Sequence, residues 1–217
     1  RRLSPATAAN ILGKKNSKSR FYKFKNLNYI KKIFLDKKNI PLFVGAGPSL
    51  VDQGRYFFSN INKKIPIVFG GSASLMNFIK LNFKIPNPKI LILTGEEHKR
   101  LFSNLGIKVL NKINLVSIIA ETTFLPKNLK FKRIKIVTSN TVALNALMLF
   151  GIILKRIRQK TLHLCFFDGT GKTSGSRMVM DETQESLEKL NKMKLNIFNV
   201  TRNYLKARYK NIWINDK

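Results

Sequence analysis

Two glycine-rich stretches in this chain have the composition of phosphate-binding loops. The first, PLFVGAGPSLVDQ at residues 41–53, places Gly45-Ala46-Gly47 directly after a run of apolar residues. The second, DGTGKTSG at residues 168–175, resembles the end of a Walker A loop. A strand, a glycine turn and a helix in succession can hold a phosphate, because N–H groups at the helix N-terminus point at the anion. Both stretches therefore raise the question of nucleotide binding.

Neither stretch meets the full requirement of a nucleotide-binding motif. A dinucleotide fingerprint needs G-x-G-x-x-G and, about 20 residues later, an acid that holds the ribose. Here Leu50 replaces the third glycine, and the next strand ends in IVFGG without an acid. A Walker A loop would need a glycine where this chain has Phe166, so the pattern argues against nucleotide hydrolysis. The residues favour an ordinary strand-to-helix turn at 45–47, with a free phosphate or an RNA phosphate as the alternative.

The other candidates for catalysis or metal binding are few. Glu96-Glu97-His98 begins a predicted helix, where acids commonly interact with the helix dipole, and Glu121 ends a predicted strand without an acid or base partner. The two histidines are far apart in the sequence, since the second is His163. Cys165 lies in the apolar run LHLCFF and is predicted to be a core residue. The spacing of a Cys/His metal site is missing, and no catalytic residue, metal or cofactor is predicted.

The charge of the chain indicates a polyanionic partner. Its 217 residues are 44% hydrophobic, which predicts one folded α/β domain with extensions. Lys and Arg number 41 against 11 Asp and Glu, a net charge of +30 with a pI near 10.6. A small soluble domain usually carries a net charge of about 2–8 in magnitude. Nucleic acid is the favoured partner, and a membrane surface is the weaker alternative.

No membrane span, signal peptide or disulfide framework is predicted. The longest apolar segment, Val142 to Leu154, is too short to cross a bilayer. Heavy use of Lys, Asn, Ile and Phe suggests an AT-rich coding sequence such as that of an organelle genome.

Three regions are predicted along the chain. Residues 1–39 form a basic arm that ends in a short helix, Leu27 to Leu35, with Ile30, Ile33 and Phe34 inward. Residues 40–158 alternate short apolar runs with helical patterns, which predicts a doubly wound three-layer α/β domain of the Rossmann or flavodoxin kind with a mainly parallel sheet. Residues 159–217 form a C-terminal extension, although TLHLCFF at 161–167 is a candidate for one more strand.

Cations of the arm and of the extension are the predicted RNA-binding residues. Residues 1–35 contain no acid, and aromatic residues that could stack on bases lie among their cations at Phe21, Tyr22, Phe24 and Tyr29. The candidate RNA-binding residues are Arg1, Arg2, Lys14, Lys15, Lys18, Arg20, Lys23, Lys25, Lys31, Lys32, Arg202, Lys206, Arg208 and Lys210. They are expected to bind phosphates without reading sequence.

The middle of the chain resembles the bacterial-type small-subunit ribosomal protein S-two family. The matching segments are PLFVGAG (41–47), FGG (69–71), LMNF (75–78), PKILILTGEEHKRLFSNLGIKV (88–109), AETTFLP (120–126) and VTSNTVALNALMLFGIIL (137–154). This resemblance implies a structural, non-catalytic component of the small ribosomal subunit that binds rRNA and neighbouring ribosomal proteins. The divergence from bacterial members looks like that of a mitochondrial protein in the matrix ribosome.

Departures from that family's pattern are clear. The long coiled-coil hairpin of bacterial members is reduced to IKLNFKIPN at 79–87, and Thr141-Val142 stands where the family has an aspartate pair. Nothing after residue 158 aligns.

A second resemblance leads to a different class of protein. GAGPSL at a strand end also resembles the start of a bacterial glycosyltransferase-like family tied to flagellin and surface-sugar modification. In that case the turn would face a sugar nucleotide. A strand-end acid that would bind the substrate or a metal was not found, and the charge is harder to explain, so the ribosomal interpretation is preferred.

Overall fold

One predominantly parallel sheet organises the protein. The computed structural model describes residues 22–24, 27–34, 39–94, 97–112, 115–120, 132–138, 145–167, 174–201 and 215–216. Within these ranges the strands are β1 Tyr22–Phe24, β2 Leu42–Val44, β3 Ile67–Gly70, β4 Lys89–Leu93, β5 Leu115–Ala120, β6 Lys132–Thr138, β7 Thr161–Cys165, β8 Asn196–Asn199 and β9 Asn215–Asp216. They lie in the order β1-β6-β5-β4-β3-β2-β7-β8-β9. Every described pairing is parallel except that of β1 with β6.

Helices cover both faces of this sheet. The described helices are α1 Leu27–Phe34, α2 Ser49–Asn60, α3 Ser72–Lys80, α4 Glu97–Lys112, α5 Ala146–Arg156 and α6 Ser174–Lys192. One core cluster joins Leu50 of α2, Leu75 of α3 and Leu101 of α4, whereas the other joins residues of α1, α5 and α6. The predicted doubly wound α/β fold with three layers is therefore confirmed.

Strand β4 shows why continuous apolar runs form the interior of this sheet. Side chains alternate between the two faces of a strand, so Ile90 and Ile92 pack in one core cluster while Leu91 and Leu93 pack in the other. All four are almost fully buried. Burial of each such side chain is worth about 1.5–3 kcal/mol. A strand buried on both faces needs apolar residues at every position, and this sequence supplies them.

The sheet continues past residue 158, where the core domain was predicted to end. β7 pairs with the first core strand, with Leu42 opposite His163, and β8 pairs with β7. The predicted strand is therefore present over Thr161–Cys165, the first five residues of TLHLCFF, and it lies in the interior of the sheet. β8, the short segment NIFN, was not predicted; two of its four residues are asparagine. Its residues Ile197 and Asn199 are buried, and α6 supplies the crossover that leads to it.

The helix expected at the end of the basic arm is present as α1. It runs from Leu27 to Phe34, and Phe34 is fully buried against the cluster of α5 and α6. Ile33 packs on the same cluster. Both residues therefore point inward as predicted, while the side chain of Ile30 lies outside the described part of the chain. None of the described helices is long and apolar enough to cross a membrane.

Candidate functional site

The direction of strand succession reverses between β2 and β7. From β2 the chain adds β3, β4, β5 and β6 towards one edge, and then β7 and β8 on the other side of β2. This reversal beside the first core strand is the arrangement of Rossmann-type sheets. Helices leave two neighbouring strands towards opposite faces at such a point, which opens a crevice at the carboxyl ends of the strands. Open α/β sheets bind their ligands there.

Both glycine-rich stretches leave the sheet at this reversal. Gly45 directly follows β2, and the turn leads into α2 at Ser49. The second stretch joins the end of β7 to Ser174, the first residue of α6. Residues 168–173 themselves lie outside the described part of the chain. Neither stretch matches its nucleotide-binding motif in the sequence, but in the fold they follow adjacent strands, β2 and β7.

Close backbone contact holds the first glycine turn against the end of β7. Gly45 N donates a hydrogen bond to the carbonyl of Cys165 at 2.8 Å, and Gly47 N donates to that of Phe166 at 3.0 Å. A Cβ atom on Gly45 would collide with the Phe166 carbonyl oxygen. Glycine is therefore required at this position because two backbones meet there.

Further side chains fix the ends of both strands. Asn77 of α3 donates from its side-chain amide to Ala46 O at 3.3 Å. Thr201 Oγ1 accepts a hydrogen bond from Phe166 N at 3.0 Å, and Asn199 Oδ1 accepts from the Thr201 backbone at 3.2 Å. The turn and the end of β7 thus form one hydrogen-bonded unit. No signal in the sequence indicated the part played by Thr201.

The predicted strand-to-helix turn at Gly45–Gly47 is confirmed. Pro48 occupies the N-cap of α2, and its side chain makes no capping hydrogen bond. Leu50 is fully buried in the core cluster of α2, α3 and α4, which explains its presence where the dinucleotide fingerprint has glycine. Ala46 is half-buried and Pro48 is exposed. The tip of the turn is therefore accessible while its flanks are in the core.

The neighbouring helix α3 is capped by a carboxylate from another helix. Serine is a favoured N-cap residue, yet neither Ser72 nor Ser74 is the N-cap of α3, which is Gly71 and has no side chain to bond to the helix. The Glu97 carboxylate accepts hydrogen bonds from the Ser72 and Thr94 backbone N–H groups instead. Gly71 has φ 90°, and a Cβ atom there would collide with the Glu97 carboxylate.

The Glu97 carboxylate interacts with the N-termini of two helices, α3 and α4. It lies in the first turn of α4, as its predicted role of dipole partner requires, and it also binds the first residue of α3. Burial raises the pKa of the Glu97 carboxyl, and the two backbone N–H groups and Arg100 oppose this rise. A buried carboxylate therefore already fills the anion position at α3, whereas the acid in the first turn of α2, Asp52, is exposed. The Gly70-Gly71 pair was the only sequence signal of this contact.

The remaining sequence candidates are placed as follows. Cys165 is fully buried, and burial raises the pKa of its thiol well above the usual value, so its predicted role as a core residue is confirmed. His163 lies in β7 with its ring edge-to-face against Phe198, at 5.6 Å between centroids. His98 belongs to α4, but its side chain is not described, and Glu96 and Glu121 lie outside the described ranges. The described residues contain no group of three or more His, Cys, Asp or Glu able to hold a metal ion.

Few of the predicted RNA-binding cations fall in the described ranges. Lys31 and Lys32 lie in the last turn of α1, where Lys32 is exposed and Lys31 is half-buried. Lys23 belongs to β1. Outside the described ranges are Arg1, Arg2, Lys14, Lys15, Lys18, Arg20, Lys25, Arg202, Lys206, Arg208 and Lys210. RNA contact by the arm and the extension stays a prediction.

Comparison of the chain with protein-family models, with curated proteins and with solved structures gave no significant match.

Proposed function

We propose that this protein binds a sugar nucleotide at the reversal between β2 and β7 and transfers its sugar, as a glycosyltransferase-like α/β enzyme. The observation that carries the proposal is the attachment of both glycine-rich stretches to these adjacent strands. The resemblance of GAGPSL to a glycosyltransferase-like family supports the sugar nucleotide as the substrate class. The reaction would join the sugar to an acceptor and release the nucleotide.

The electrostatics of this edge support a diphosphate at α2. A helix N-terminus carries a partial positive charge from its unpaired N–H groups and favours an anion. At α3 that position is filled by the buried Glu97 carboxylate, whereas at α2 the N-cap Pro48 makes no side-chain hydrogen bond and the acid of the first turn, Asp52, is exposed. The chain as a whole is strongly cationic, which favours anionic ligands further. A diphosphate beside Ala46 would approach the backbone closely because no bulky side chain stands on this turn.

The first test measures nucleotide binding by the full chain. Bound nucleotide is extracted from the purified protein and identified by mass spectrometry, and UDP-, GDP- and CMP-linked sugars are titrated in by calorimetry. We expect stoichiometric binding of one of them. Ala46→Asp should abolish it, because a carboxylate at the accessible tip of the turn repels the phosphates at close range.

A matched control separates this effect from general loss of charge or fold. Asn60→Asp adds the same charge at the exposed far end of α2, about 16 Å along the helix from Ser49, and should leave affinity within about twofold, because screening weakens interactions beyond a Debye length of about 8–10 Å. Absence of binding by the unchanged protein, or equal loss in both variants, would refute the proposal.

The second candidate is a structural constituent of the small ribosomal subunit, in mitochondria. The observation that favours it is the net charge of +30, which a nucleotide site alone does not explain. Its test is sedimentation of a native lysate at low and high salt while this chain is followed by immunoblot. Comigration with small subunits at high salt supports the ribosomal candidate, and migration as a free protein at every salt concentration eliminates it.

A further inference from the structure

Two cationic turns lie side by side at the edge opposite the candidate nucleotide site. One joins the end of α5 at Arg156 to β7, and the other joins the end of α6 at Lys192 to β8. Thr161 is paired with Asn196 at the start of these two strands, and Asn196 N donates a hydrogen bond to Lys160 O at 2.8 Å. The turns are therefore neighbours at the amino ends of the strands.

Six exposed cations occupy these turns and the helix ends before them. We call them the basic edge cluster: Lys155, Arg156, Arg158, Lys160, Lys192 and Lys194. Residues 155–161 and 189–196 contain no acid. Cations at a helix C-terminus are common because they interact favourably with the helix dipole. That effect accounts for the members inside α5 and α6 but not for those beyond the helix ends.

Two members of the cluster hold positions that favour glycine. Arg158 has φ 64° and Lys194 has φ 62°, and each lies two residues after the last residue of a helix. Arg158 N donates to Lys155 O at 3.0 Å, and Lys194 N donates to Asn191 O at 2.8 Å. Helices commonly end with glycine in this left-handed conformation because other residues are strained there. A cation thus stands at the strained position of both adjacent turns, and strained residues tend to occur where function requires them.

We infer that the basic edge cluster binds the phosphate backbone of a nucleic acid. The six side chains are exposed on the two neighbouring turns and on the helix ends before them, where an extended polyanion can reach them. A membrane-binding surface would also carry exposed apolar side chains. In the described part of the chain the large exposed apolar residues are Val51, Tyr56 and Val109, on α2 and α4 and outside this cluster.

More cations continue along the same edge. Exposed lysines lie in the turns before β3 and β4 and near the end of α4, at Lys63, Lys64, Lys84 and Lys108. From β8 to β5 the edge spans five strand spacings, about 24 Å at the usual distance between strands. This length suits an extended backbone rather than a single phosphate. The inference does not rest on the proposed nucleotide site, which lies at the other edge.

The test uses the full chain and a labelled RNA. Binding of a fluorescein-labelled oligouridylate of about 20 nucleotides is followed by anisotropy across about 0.05–0.2 M salt. The double variant Arg158→Gly with Lys194→Gly should bind the RNA about tenfold more weakly. The slope of the logarithm of the binding constant against the logarithm of the salt concentration should become less steep by about 1.4. The same variant should unfold at an equal or higher temperature, because glycine relieves the strain at both positions.

Two controls make the result specific. Asn82→Gly relieves a third strained position, φ 47°, without loss of charge, and should leave RNA affinity unchanged. Lys99→Ala with Arg100→Ala removes two exposed cations near the opposite edge and should weaken binding less than twofold. If the two double variants lose RNA affinity to the same extent, the inference is overturned. It is likewise overturned if the protein binds phosphatidylserine-containing vesicles but not the RNA.

Discussion

Glu97 lies against Gly71 so closely that a side chain at position 71 would displace the Glu97 carboxylate. The carboxylate reaches from the first turn of α4 to the first backbone N–H of α3. Helices α3 and α4 are therefore joined through a buried anion as well as through apolar contacts. The Gly70-Gly71 pair serves this contact, and φ 90° at Gly71 turns the chain from β3 into α3 around it.

Gly71→Ala is predicted to destabilise the protein more than Gly106→Ala does. Both glycines have positive φ with extended ψ, a backbone region that glycine alone occupies readily, which costs other residues about 1–3 kcal/mol. A Cβ atom at Gly106 would meet open space, whereas one at Gly71 would meet Glu97. Overpacking of this kind costs about 1–3 kcal/mol more. Urea denaturation of the two variants measures the difference, and equal losses would contradict the role given to Glu97.

Glu97→Gln is predicted to change how stability depends on pH. Burial raises the Glu97 pKa above that of the unfolded chain, so the folded state holds the proton more tightly. The contribution of the Glu97 carboxyl to the free energy of unfolding is present at low pH, below the pKa of about 4.5 in the unfolded chain. It is lost as the pH rises through the raised pKa of the folded protein. The stability of the Gln variant relative to the parent should therefore increase from pH 4 to pH 7.

Urea denaturation at several pH values provides the check on Glu97. Glu188→Gln, at an exposed position of α6, is the matched control, and its stability relative to the parent should vary less over that range. Parallel pH profiles for both variants would show that the Glu97 carboxyl titrates normally in the folded protein.

Cys165 is predicted to resist alkylation in the folded protein. The thiolate is the reactive form, and burial both excludes reagent and raises the pKa of the Cys165 thiol. Mass spectrometry after iodoacetamide treatment should show an unmodified chain in buffer and one modification in denaturant. Rapid labelling in buffer would mean that β7 opens readily although it lies in the interior of the sheet.

The strands that the sequence predicted are those with continuous apolar runs. β2 and β4 are buried on both faces, and a strand buried in this way carries its signal at every position. β8 was missed because NIFN is short and half of its residues are asparagine, so only the pairing with β7 identifies it. The order of strands could not be predicted either, because local patterns do not state which strand is a neighbour. That order decides where the two glycine-rich stretches lie.

Contacts between distant residues explain the other failures of prediction. Ser72 looked like a helix cap because capping rules are local, but the actual cap comes from Glu97, on the next helix along the chain. Arg158 and Lys194 gave no sign of a left-handed conformation, since glycine is its usual signal. The GAG turn itself was predictable from its glycines. Its contact with Phe166 was not.

Gly151 and Leu190 are predicted to be energetically coupled. A Cβ atom on Gly151 of α5 would collide with the end of the Leu190 side chain on α6. Gly151→Ala should therefore destabilise the protein by about 1–3 kcal/mol through overpacking, and Leu190→Ala should cost about 2–5 kcal/mol by leaving a cavity. The double variant should lose less unfolding free energy than the sum of the two single losses, because the new methyl group fills part of that cavity. Chemical denaturation of the parent, the two single variants and the double variant gives the coupling energy. If the two single losses of unfolding free energy simply add, Gly151 and Leu190 are not in contact.

A chain that stops at residue 158 is predicted not to fold. It lacks β7, which lies beside β2 in the interior of the sheet, and it lacks α6 and β8. The core then loses a set of buried side chains: Leu162, Leu164, Leu187, Leu190 and Ile197. Each contributes about 1.5–3 kcal/mol, and together they match the whole stability of a typical domain, about 5–15 kcal/mol.

Proteolysis and thermal unfolding of two truncated chains test this prediction. A chain ending at residue 201 keeps β7, α6 and β8 and should show a cooperative transition, whereas the one ending at 158 should be degraded rapidly and bind a hydrophobic dye. Cooperative unfolding of the shorter chain would mean that residues 40–158 form an independent domain. In that case the reversal between β2 and β7 would join two units, and the proposed nucleotide site would require both.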